Sequence, residues 1–215
     1  MKKILISGCS FTEKKHGLGE WIPWSDLLTE EFNIRNVAQS SYGQGMISKS
    51  IVNEIEVSEF KPDFVIIQWS SIQRGYSTNL KEFFSSVVKN KETDFLAYDY
   101  EYLNEEMKMN PQKIEDSFIL SSFTHILLTK NYLESKNIPY LMFWGWNQLS
   151  KVKEKISDLF VNKIYDSNWW IYGEHGGMSD FINDEIGIGS FAHDGKHPST
   201  KGHKLFYDRI IKEII

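Results

Sequence analysis

The segment after Pro62, running Asp63-Phe-Val-Ile-Ile-Gln-Trp69, constrains the fold more than any other part of the chain. It is apolar with almost no alternation, so a strand formed here needs cover on both faces. The middle of a parallel sheet with helices on either side provides that cover. Lys3 to Ser7 and Tyr140 to Gly145 are runs of the same kind, and Asn33 to Ala38 reads as a further strand. Helical spacing fills the intervals. Trp24 to Phe32 opens after Pro23 with Trp24, Leu27, Leu28 and Phe32 on one face, and Ile47 to Ile55 repeats the pattern. Ser117 to Ser135 carries Ile119, Phe123, Ile126, Leu127 and Leu133 at spacings of three and four until Asn137-Ile138-Pro139 stops it. Ser199 to Ile215 sets Phe206, Ile210 and Ile214 on one side of a closing helix. Strands alternating with helices predict a layered α/β/α sandwich around a central parallel sheet of about five strands.

Two stretches do not fit the alternation. Asn90 to Asp116 is acidic and rich in tyrosine, and Asp166 to Ala192 is rich in Gly, Asp and aromatic residues. At the strand ends of an α/β sheet such excursions often cover the ligand crevice, so 90–116 reads either as a lid or as a solvated insertion. No linker or internal repeat divides the 215 residues, which are read as one domain, 1–215.

Charge and cysteine content narrow the partners. A net charge of −5 without a Lys/Arg-rich block lacks the footprint that duplex nucleic acid or anionic lipid demands, and favours a small neutral or cationic partner. The single cysteine, Cys9, makes no internal disulfide, so a reducing compartment is the default. The apolar stretch before it, Ile4 to Ile6, is shorter than the roughly 7–15 residues of an export signal. Ser117 to Thr129 and Tyr140 to Ser150 fall short of the roughly 18 residues that span a bilayer. A cytoplasmic protein that does not enter the membrane is expected.

Two segments carry chemistry. Ser7-Gly8-Cys9-Ser10-Phe11-Thr12 follows the first strand, where a small polar residue faces the crevice and the start of a helix favours negative charge. Ser10 is the candidate nucleophile there, with Cys9 beside it as a thiolate alternative. Near the other end of the chain, Asp194-Gly195-Lys196-His197-Pro198 places a carboxylate three residues before a histidine. The carboxylate can accept the Nδ1 proton and leave Nε2 free as a base. His193, His197, Asp194 and His203 also raise a metal reading. Gly195 and Pro198 oppose the helix that would bring the two flanking imidazoles to one face. His16, His125 and His175 read as structural or solvated. Gly-x-Ser-x-Gly, Walker-type and Gly-x-Gly-x-x-Gly signatures are missing, which counts against α/β-hydrolase, P-loop and dinucleotide-binding chemistry.

Gly8-Cys9-Ser10-Phe11-Thr12, then Asn36-Val37-Ala38 leading to Gly43, then Asp194-x-x-His197-Pro198, resemble in order and spacing the blocks of the SGNH (GDSL-like) hydrolase superfamily. That resemblance frames nearly the whole chain. It implies a flavodoxin-like fold and an esterase with Ser10 as nucleophile, His197 as base and Asp194 as its orienting group. It also implies oxyanion donors in the amides of Ser10 and Gly43, and no metal or other cofactor. Two departures mark a divergent member. Cys9 stands where the family has Asp, and the Gly-x-Asn-Asp block falls on Ser70-Ser71-Ile72-Gln73. The missing Asn leaves Ser70 as the first substitute donor, with Ser71, Gln73 and Asn147 as others. Trp69, Trp144 and Trp146 at strand ends, and Trp169-Trp170 further on, offer faces on which a sugar ring could stack. Trp69 and Trp146 are therefore expected to bind substrate, and Trp69 and Trp144 have core packing as the competing role. The expected substrate is a short-chain ester, with an acetylated carbohydrate as one form. The competing function is a binding module on the same fold for a saccharide or nucleotide.

Overall fold

The computed structural model describes residues 1–13, 21–72, 111–148, 158–174 and 176–215. Five parallel strands form one sheet in the order β2-β1-β3-β4-β5: β1 (Lys3–Ser7), β2 (Asn33–Asn36), β3 (Phe64–Trp69), β4 (Tyr140–Trp144) and β5 (Trp169–Trp170). This is the flavodoxin-like order, and the chain leaves β1 toward β2 on one side and β3 on the other. The crevice of such a sheet opens at the carboxyl end of β1, where that reversal occurs.

Strand residues alternate between two cores. Leu5, Val65, Ile67, Trp69, Tyr140, Met142 and Trp144 pack against α2 (Gln44–Val57) and α3 (Pro111–Ser135). Ile4, Ile6, Phe64, Ile66, Leu141 and Phe143 turn to the other face. They meet α1 (Trp24–Leu27), α5 (Met178–Ile186) and α6 (Thr200–Phe206), which continues through a π-type turn at Tyr207–Ile211 to Lys212–Ile214. Every residue of β3 and β4 is buried, as their unbroken apolar runs require. α2 shows how a helix is fixed to the sheet. Ile47, Ile51 and Ile55 recur every four residues and are all buried, each contributing about 1.5–3 kcal/mol of apolar burial. α3 ends where Asn137 takes φ +53° and the Ile138 amide donates back to Leu133 O, before Pro139 forbids another turn.

The structure corrects four sequence expectations. The helix expected over Trp24–Phe32 is one α turn and a 3-10 turn, Leu28–Glu30, because Asn33 is already paired beside Lys3 in β2. α3 begins at Pro111, so the last residues of the 90–116 excursion belong to it, and the remainder lies outside the described residues, as do His16, His175 and Gln73. The Asp166–Ala192 excursion is structured: it contains β5 and α5. One further helix, α4 (Asp158–Ile164), stands between β4 and β5. No helix among the described residues is long and apolar enough to cross a membrane.

Candidate active site

The turn that carries Ser10 is built on glycine and a buried amide. At Gly8 a Cβ would come within 2.8 Å of Thr12 Oγ1 and 3.1 Å of Gln68 Cβ, so only glycine lets the chain leave β1 this tightly. The amides of Thr12 and Glu13 then donate to Cys9 O, closing the turn; the helix expected to follow it falls on 14–20, outside the described residues. Below it lies Gln68, fully buried in β3. Its Oε1 accepts from the Cys9 amide (3.3 Å), the Cys9 Sγ (3.2 Å) and Thr12 Oγ1 (3.1 Å), and its Nε2 donates to Trp69 O (2.7 Å). From the side, Asn36 Nδ2 and Ser25 Oγ both donate to Thr12 O, at 2.7 and 2.8 Å. Cys9 is thereby turned into the core with no exposed surface, while Ser10 is left half-buried.

His197 arrives on a short hairpin between α5 and α6. Phe191 bridges Pro198, and the Ala192 amide donates to His197 O at 2.8 Å. Gly195 makes the bend at φ +64°. Asp194 Oδ1 accepts the amides of Lys196 and His197, both at 2.9 Å, and Asp194 Oδ2 pairs with His197 Nδ1. Burial alone would raise the Asp194 carboxyl. The two amides and the imidazole outweigh it and hold the group down at about 2, so it stays an anion that fixes the proton on Nδ1. The other nitrogen, Nε2, lies 2.8 Å from Ser10 Oγ. Residues 187 positions apart thus meet in the order carboxylate, imidazole, hydroxyl.

Ser10 and His197 open into a cavity of about 940 Å³, the size class that encloses a small organic ligand. Phe11, Trp146, Tyr172 and Phe191 give it aromatic walls, and Asn147, Asn183, Asp180, Asp184, Glu174 and Lys196 make it polar. Trp146 lines the cavity, packed on Phe11 with ring centroids 4.2 Å apart. Trp69 does not: it is fully buried in the core under α2 and α3, because its position in β3 points it into that layer. Trp144 is buried there too, and Trp169 and Trp170 form β5, outside the cavity lining.

The expected oxyanion donors divide. Gly43 caps α2 at its N-terminus, and its loop is tied to the Ser10 turn: the Gln39 amide donates to Gly8 O, and the Ser40 amide donates to Glu13 Oε2 at 3.0 Å. Neither Gly43 nor Ser70 lines the cavity. Ser70 is fully buried and outside the cavity lining, so it is not placed to substitute for the missing Asn; its carbonyl accepts from Gln44 Nε2. Asn147 does line the cavity, beside Ser10 and His197.

The other described histidines lie outside the cavity lining. His125 packs against α2, its Nε2 3.2 Å from where a Gly45 Cβ would sit, and burial lowers its basicity. His203 is fully buried in α6. Among the described residues no group of three His, Cys, Asp or Glu side chains is placed to hold a metal ion. Sequence reasoning missed Gln68. Its signal was present, since a lone amide in an otherwise apolar buried strand must find partners. It also missed Trp21, whose ring stacks on His197 and which no pattern in the sequence singles out.

No family model and no curated protein sequence matches the chain. Solved structures do. The psychrotrophic esterase EstA from Pseudoalteromonas sp., inhibited by monoethylphosphonate, superposes with a TM-score of 0.56 at 13% identity, covering 100% of this chain and 97% of that one. TesA gives 0.53 at 12% identity, covering 98% and 97%. A mutant of Axe2, an acetyl-xylooligosaccharide esterase from Geobacillus, gives 0.52 at 15% identity, covering 99% and 94%. At these identities the likeness is one of fold, and it extends over the whole chain.

Proposed function

We propose that this chain, which shares its fold with those esterases, is itself a serine ester hydrolase that works through an acyl-enzyme. The observation that carries the reading is the 2.8 Å approach of His197 Nε2 to Ser10 Oγ, with Asp194 on the far nitrogen. In this mechanism His197 takes the hydroxyl proton as Oγ bonds to the ester carbonyl carbon and the carbonyl electron pair moves onto oxygen. The resulting oxyanion is met by the amide of Ser10 and by the Asn147 carboxamide, which takes the place of the donor lost at Ile72. Collapse breaks the bond to the alcohol, which leaves with the proton from Nε2. Water then gives a proton to Nε2 and attacks the acyl carbon, the Oγ–acyl bond breaks, and the proton returns to Ser10 as the acid departs. The cavity suits a short acyl group on a polar alcohol. Its Trp146 and Tyr172 faces and surrounding hydrogen-bonding groups fit an acetylated carbohydrate better than a long alkyl chain.

A fluorophosphonate probe tests the reaction class directly. The wild type is expected to label. Ser10→Ala should lose all labelling and His197→Ala most of it, with parallel losses of p-nitrophenyl acetate turnover. A folded wild type that neither labels nor hydrolyses p-nitrophenyl acetate or acetylated sugars would remove the hydrolase reading.

A further inference from the structure

The imidazole of His197 is flanked by two aromatic rings that the acyl-transfer steps do not use. Phe11 meets it edge-on, with centroids 5.4 Å apart and planes at 67°. Trp21 lies flat against it, with centroids 4.9 Å apart and planes only 11° from parallel. Phe11 belongs to the cavity wall, but Trp21 is not among the residues lining the cavity that Ser10 enters. Its segment is anchored elsewhere. The amide of Ile22 donates to Thr200 Oγ1 at 3.1 Å, in the first turn of α6, and the cap of that helix, Ser199, stands two residues after His197. The stacking ring and the imidazole are therefore referenced to the same helix end.

We propose that Trp21 is a positioning residue for His197: its π face stabilises the imidazolium formed when Ser10 gives up its proton, and its plane holds the ring aligned between Ser10 and Asp194. The proposal rests on the reading of His197 as the general base. The physical basis is the negative face of the indole, the strongest aromatic partner for a cation within about 6 Å. A neutral imidazole gains little from that face and an imidazolium gains more, so the stack favours the state that follows proton transfer. Phe11, presenting its ring at an angle, gives no such parallel face. The other charged or titratable groups around this imidazole are Asp194 on its own loop and His203 of α6, with Lys196, Glu174, Asp180 and Asp184 on the shared cavity. All of them remain when Trp21 is replaced, so a change on replacement reports the indole.

The experiment follows the His197 ring signals by NMR across pH in the full chain, for the wild type, Trp21→Leu and Trp21→Phe. The titration midpoint should fall by about 0.5 pH unit in Trp21→Leu and by less in Trp21→Phe. With p-nitrophenyl acetate the acid limb of kcat/KM should move to lower pH by the same amount. Its plateau should fall about three- to tenfold through kcat, with KM unchanged, because less imidazolium stabilisation is available in the transition state. Trp21→Phe should restore most of the rate. An unmoved midpoint in a folded Trp21→Leu protein, or a loss confined to KM, overturns the proposal. Should Trp21→Leu fail to fold, Trp21→Met keeps apolar bulk without a π face and carries the same expectation. The NMR arm needs no turnover. A midpoint shift in a protein inert to esters would sink the hydrolase reading and keep the stack, whereas an active enzyme with an unmoved midpoint would sink the stack alone.

Discussion

The turn carrying Ser10 and the loop carrying Asp194 and His197 reach the same point by opposite means. Ser10 sits on a buried platform: Gln68 holds the turn from below through three accepted hydrogen bonds, and Asn36 and Ser25 hold Thr12 from the side. Asp194 exposes 39% of its side chain, and its loop is braced by its own backbone, by the Asp194–His197 pairing and by one stacked indole. Buried polar contacts are expensive to break, because the abandoned partner has no water to turn to. Exposed ones are cheap in stability yet can be decisive in rate. The first half of the site is therefore coupled to the fold, and the second is coupled mainly to the chemistry.

Asp194→Asn should give the largest single effect, and on rate alone. An amide at this position no longer fixes the imidazole proton on Nδ1 or balances the imidazolium, so kcat/KM should fall about 10³–10⁴-fold. The melting midpoint should hardly move. A large loss of stability with a small loss of rate would reverse the contrast between the two regions.

Gln68→Leu should show the converse. It keeps the bulk but removes the acceptor from the buried Cys9 amide and Thr12 hydroxyl, so urea unfolding should report a loss of about 2–4 kcal/mol. Fluorophosphonate labelling should slow as well, since Ser10 then rides on a turn with no floor. A variant as stable as the wild type would show that Gln68 is not the support described.

This contrast also explains what the amino-acid sequence discloses. β1, β3 and β4 are legible because runs such as Phe64–Ile67 have no other stable environment than the centre of a sheet. β5 is not, because Trp169–Trp170 is two residues long and pairs only through β4. α5 is obscured by Gly176 and Gly177 just before it. Gly177 is required because a Cβ there would lie 2.6 Å from Trp144 O, a close approach that only the assembled fold creates. In the site, Asp194 and His197 are readable as a pair from their spacing, since three residues from carboxylate to imidazole is a local geometry, whereas Ser10 stands out through the resemblance of its block, a serine after a strand being more often a cap or turn. Trp69 carried both a stacking and a core reading, and the core reading holds, because nearness to a strand end does not say which face a side chain takes. The Gln68 platform and the Trp21 stack depend on long-range contacts, 56–59 residues apart for Gln68 with the turn, that no local pattern encodes.

The smallest effect at neutral pH, and the most informative one at acid pH, belongs to His203, which lies behind the base loop. Neither of its ring nitrogens has a hydrogen-bond partner among the described residues. Burial first, and the nearby His197 second, push its ionisation down to about 3. An unfolded chain protonates this imidazole near 6.5 while the folded one resists until about 3, so the unfolded state binds the extra proton throughout that interval. Stability contributed by keeping His203 neutral is thus complete above pH 6.5 and is lost as the pH falls toward 3. The slope is at most about 1.4 kcal/mol per pH unit from this one group. His125, lowered by burial, acts with the same sign, and so does Asp194, whose contribution is complete above its ordinary value of 3.8 and is lost only as the pH falls from there toward about 2. His203→Phe should therefore change stability by no more than about 1 kcal/mol at neutral pH, since it removes an unpaired polar ring and keeps an aromatic one. Between about pH 6.5 and 4.5 the variant should lose most of the wild type's downward slope, leaving the part due to His125. Urea unfolding at a series of pH values measures both, and an acid slope identical in the two proteins would show that His203 is not the group that makes the region behind the base loop acid-sensitive.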